Sequence, residues 1–103
     1  MAKYVLVYTG GSMGETPEEQ QKAMEAWMNW FGSIGESLLD PGNPFTQGCT
    51  VATDGTSTDG GVAGLTGYSI IDAENLSAAV AVAGGCPVLA NGGGLQVYEA
   101  MAM

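Results

Sequence analysis

Thr16-Pro17-Glu18-Glu19 limits this chain more than any other segment, because it begins a helix and suits little else. A threonine hydroxyl accepts from the first turn, proline carries the φ of the first helical position, and Glu19, three residues after Thr16, completes a capping box. Beyond it Met24, Trp27, Met28, Phe31 and Ile34 or Gly35 recur at helical spacing, with Glu18, Lys22, Glu25 and Asn29 on the other side. The spacing predicts one amphipathic helix that stops at Gly35, with Met24 and Met28 filling core space. Such a helix needs an apolar layer to cover.

The flanking segments supply strands. Lys3 to Tyr8 has no breaker, is rich in aromatic and β-branched residues, and ends at Thr9-Gly10-Gly11, which puts Tyr4, Leu6 and Tyr8 on one strand face. Ser37-Leu38-Leu39-Asp40 predicts a short strand running into the turn Pro41-Gly42-Asn43-Pro44. Thr50 to Thr53 and Thr56-Ser57-Thr58 meet across Asp54-Gly55, a hairpin signal, and Leu65 to Asp72 resumes strand character. Asn75 caps a second helix with Leu76, Ala79, Val80 and Ala83 on one face, ended by Gly84-Gly85 and Cys86-Pro87. Leu95 to Met101 is a last strand. The order β, α, β, hairpin, β, α, β is the split βαβ pattern of an α+β, ferredoxin-like βαββαβ domain with a small β-hairpin insertion. A length of 103 residues, 46% hydrophobic, suits one core, so residues 1–103 form a single domain. Two helices cover one sheet face. Tyr and Val occupy both faces of the first strand, so the expectation is a homodimer with sheets packed face to face.

Several segments carry a family resemblance in order: Lys3-Tyr4-Val5-Leu6-Val7-Tyr8, the helix with Trp27 and Trp30, Leu39-Asp40-Pro41-Gly42-Asn43-Pro44, Gly67-Tyr68-Ser69-Ile70-Ile71-Asp72-Ala73, and Gly85-Cys86-Pro87. Together they resemble the YCII-related family, including its DGPF-domain branch. The resemblance implies a dimeric α+β barrel. One branch includes a dehydrochlorinase of a chlorinated hydroxymuconate, and the related barrels include muconolactone isomerase. The resemblance therefore also implies, as an alternative to binding alone, a lyase or isomerase on a muconate-like or lactone substrate. The family's pattern places a His on helix one and an Asp near its end; aligned on Gly35 and Leu38-Leu39, Met24 and Ser33 stand there. The Asp-Gly-Pro-Phe signature is reduced to Asp59-Gly60-Gly61.

Charge and composition narrow the chemistry. Eleven acids against two bases give a net charge of −9, which repels phosphate backbones and anionic lipid, so neither nucleic acid nor membrane is an expected partner. With no histidine and two cysteines, histidine-based catalysis and a four-ligand Cys/His zinc site are excluded, and no metal or cofactor is expected. Cys49 and Cys86 show no framework spacing, which reads as two reduced thiols in a cytoplasmic protein, and the N-terminal apolar run is too short for a signal peptide. Gly10-Gly11-Ser12-Met13-Gly14 lacks the motif of a phosphate loop, and Glu15, Glu18 and Glu19 beside it repel phosphate.

What remains is a site for a small organic molecule. Asp40, at a strand exit, is the candidate catalytic base, with Asn43 beside it to grip a polar substrate atom. The other reading of this pair is that it organises the Pro-Gly-Asn-Pro turn. Tyr8 and Tyr68 on strands and Trp27 on the helix are the candidate substrate-binding residues, since aromatics with polar tips suit a partly apolar ligand.

Overall fold

The computed structural model describes residues 1–103. In chain order the elements are β1 (Ala2–Thr9), α1 (Pro17–Ile34), β2 (Leu38–Asp40), β3 (Cys49–Val51), β4 (Ser57–Asp59), β5 (Leu65–Ala73), α2 (Leu76–Ala83) and β6 (Gly94–Ala100). Four strands form one antiparallel sheet in the order β2-β5-β1-β6, while β3 and β4 pair only with each other. β1 and β5 are the two interior strands, and β1 is rich in β-branched and aromatic residues. Tyr4 lies opposite Ile71 and Glu99, Leu6 opposite Ser69 and Val97, and Tyr8 opposite Gly67 and Leu95.

That register fixes the two faces of the sheet. Tyr4, Leu6, Ser69 and Ile71 are almost fully buried under the helices, where they meet Trp30, Ala79, Ala83, Cys86 and Val88. The opposite face carries Val5, Val7, Tyr68 and Ile70, half-buried, with Tyr98 exposed. No helix covers it. No helix is long and apolar enough to cross a membrane.

α1 starts where the sequence places it, with the Thr16 hydroxyl accepting from the Glu19 N–H at 3.1 Å and Pro17 in the first turn. The capping box differs in one bond: the Glu19 carboxylate accepts from the N–H of Glu15 at 2.8 Å, one residue before the cap. The buried stripe also differs from the expected one. It runs through Ala23, Trp27, Trp30 and Ile34, while Met24 and Met28 are 60% and 70% exposed and fill no core space. Trp30 sets this rotation, because its indole N–H donates to the Val82 carbonyl at 3.3 Å and draws that edge of α1 against α2.

α2 is capped by Asn75 as expected, the side chain accepting from the Ala78 N–H at 2.8 Å. Its inner face is Ala79 and Ala83 flanked by Ala78 and Val82; Leu76 and Val80 lie half out in solvent, each 51% exposed. Alanines let this short helix sit close to the sheet, and the larger side chains fall to its flanks. A 3-10 helix at Pro87–Asn91 follows, which the sequence reading did not anticipate. It buries Val88 beneath Gly11, whose φ of +86° and 2.9 Å approach to the Val88 methyl from a notional Cβ leave room for glycine alone.

Candidate functional site

A cavity of about 440 Å³ opens between α1 and the end of the sheet where β1 leaves for the Gly10–Gly14 loop. Met24, Trp27, Met28 and Phe31 wall it from α1, the Tyr8 ring floors it, and the Pro41-Gly42-Asn43-Pro44 turn closes the far side. Trp27 is the hub of this wall. Its ring meets Tyr8 edge-on at 5.0 Å and 82°, Trp30 edge-on at 5.8 Å and 80°, and Phe31 at 5.7 Å and 48°. Edge-to-face contacts of this kind hold ring planes in place, so the wall is formed before any ligand arrives. A broader groove of about 990 Å³ lies on the other side of α1, where Trp30 is already tied to Val82 and Lys22 and Asn29 face solvent.

The cavity gathers four of the five candidate residues, in different capacities. Tyr8 offers its ring, because its phenol is turned away: the hydroxyl donates to Ser69 Oγ at 2.7 Å, and Ser69 Oγ donates to the Pro41 carbonyl at 2.6 Å. Burial pushes that phenol well above its ordinary value of 10.0. It is a neutral structural donor and no acid or base near neutral pH. Trp27 contributes ring face and edge, and Asn43 contributes an amide at the mouth. Tyr68 borders the cavity through its strand segment, because strand alternation sends its ring to the other sheet face, where it stacks on Phe45 at 5.9 Å and 16°.

Asp40 is the residue that does not join them. It is absent from the cavity lining, and its Oδ1 accepts from the Gly42 N–H at 2.8 Å. Asp40 thus braces its turn through one carboxylate oxygen and stands outside the cavity that holds the other four. The turn also needs glycine at this position, since Gly42 has φ +73° and a Cβ there would collide with the Tyr68 carbonyl. Backbone of this shape accepts glycine and little else.

Met13, Met24, Met28, Val88 and Asn91 are cavity residues that the sequence reading missed. The four-residue spacing of Met24 and Met28 around Trp27 fits a cavity wall as well as a core stripe. Val88 and Asn91 are carried by the 3-10 helix, whose local signals are Pro87 in its first turn and the left-handed Gly92 after it. Cys86 behaves as the small buried hydrophobe expected: it is 3% exposed, and burial pushes its thiol up to about 11. No three His, Cys, Asp or Glu side chains come together to hold a metal ion. No protein-family model matches the chain, and no curated protein matches it.

Proposed function

We propose that this protein is a ferredoxin-like, YCII-related homodimer that binds a small organic molecule in the cavity between α1 and the sheet. One observation carries the reading: the aromatic wall built around Trp27 is flanked by two solvent-exposed methionines, Met24 and Met28, which no part of the chain covers. Large apolar side chains left open around a preformed concavity are the usual form of a ligand site. Binding is favoured over turnover, because Asp40 lies outside the cavity lining and the Tyr8 phenol is bonded to Ser69.

The strand order β2-β5-β1-β6, with a hairpin between β2 and β5, supports the ferredoxin-like assignment. The dimer reading rests on the uncovered sheet face, where Val5, Val7 and Ile70 sit beside Tyr68 and Tyr98. Native mass spectrometry of freshly purified protein tests both at once. The expected result is a dimer carrying a discrete added mass that collisional activation removes. A dimer that takes up no small molecule from an aromatic panel overturns the binding reading, and a monomer at micromolar concentration overturns the assembly.

A further inference from the structure

We infer that the cavity selects neutral aromatic molecules and rejects carboxylates, an inference that rests on the binding reading above and specifies its ligand. The lining holds no Lys, Arg, Asp or Glu side chain. The chain has only two basic side chains, and neither is placed to help. Lys3 lies on β1 one residue from Tyr4, on the sheet face turned away from the helices, and Lys22 lines the groove on the other side of α1. A carboxylate entering the cavity would lose water without gaining a cation, inside a molecule of net charge −9.

The apolar groups are of the kind that recognise rings. Tyr8, Trp27 and Phe31 present aromatic surface, and the thioethers of Met13, Met24 and Met28 adapt to irregular outlines and favour ring edges. Polar recognition is sparse. The Thr66 hydroxyl donates to the Gly10 carbonyl at 3.1 Å, and the Ser12 oxygen accepts from the Gly14 N–H at 3.0 Å, which leaves the Ser12 O–H as one uncharged donor. The amides of Asn43 and Asn91 remain for a ligand hydroxyl or carbonyl. A planar molecule with one or two uncharged polar atoms fits these groups, whereas a dicarboxylate such as muconate is the least suited occupant.

The test is calorimetry near neutral pH with naphthol, naphthoate and naphthylmethylammonium, which share a ring system and differ in charge. Physiological salt screens the distant acids, so the differences report the lining. Naphthol is expected to bind about tenfold or more tightly than naphthoate, with the ammonium no tighter than naphthol. The variant Met28→Lys, on an exposed helix position, is expected to recover most of the lost naphthoate affinity by supplying the missing cation. Equal or tighter binding of naphthoate to the unaltered protein overturns the inference alone, as does a tighter ammonium. Failure of all three probes to bind removes the binding reading and the inference with it.

Discussion

Asp40 shows how a residue's partner decides its role. A carboxylate at a strand exit reads as a base or as a brace, and the 2.8 Å bond from the Gly42 N–H supports the brace. Asp40→Ala is expected to lower stability by about 1 kcal/mol, the worth of a typical hydrogen bond, and to leave ligand affinity unchanged. Chemical denaturation and calorimetry on the same variant check this, and lost affinity at unchanged stability would contradict it. The buried acids of the core predict a pH response. Cys86 and Tyr8 keep their protons in the folded state beyond the pH at which the unfolded chain releases them. The folded state then binds more protons, so their contribution to stability is intact below pH 9.0, the ordinary thiol value, and is lost as pH rises through about 11. Tyr8 extends the decline upward from 10.0. Denaturation midpoints across this range should fall, and Cys86→Ala should flatten the lower part of the slope.

At the scale of elements, both helices carry a side-chain cap, Thr16 for α1 and Asn75 for α2, and the Trp30 indole ties one to the other at the Val82 carbonyl. α2 is short and is held on the sheet by the close fit of Ala79 and Ala83. The existence of every strand and both helices was legible in the sequence, because caps, turn residues and β-branched runs act locally. Helix rotation was not legible. Whether Met24 or Ala23 faces the core depends on where Trp30 finds an acceptor, and that acceptor is 52 residues away in the chain. The same limit applies to the site: aromatic residues named it, but the sheet face to which Tyr68 sends its ring depends on strand register. The hairpin of β3 and β4 is different again. Every residue from Cys49 to Asp59 is exposed, and its base is closed by the Gly60 N–H donating to the Gly48 carbonyl at 2.9 Å. Deleting residues 49–59 and joining Gly48 to Gly60 should change stability by no more than about 1 kcal/mol. A larger loss in a urea melt would mean that the hairpin supports the sheet.

For the whole molecule, the decisive quantity is thickness. The extents are 43 × 39 × 18 Å and the radius of gyration is 15.0 Å, against about 13 Å for a compact domain of this length. Only 13 of 103 residues are buried, because one layer of helices on one sheet has a single interior. The uncovered face is the remaining source of apolar burial, and a second copy would use it. Val7→Asp, in the middle of that face and away from the cavity lining, is expected to convert the proposed dimer to monomer in light scattering while both helices persist by circular dichroism. An unaltered dimer would place the interface elsewhere. The pairing proposed for this 18 Å slab would have a further consequence. Its melting temperature would then depend on how much of it is present, so that each dilution would lower the temperature at which it unfolds and the protein would be at its weakest when it is scarce.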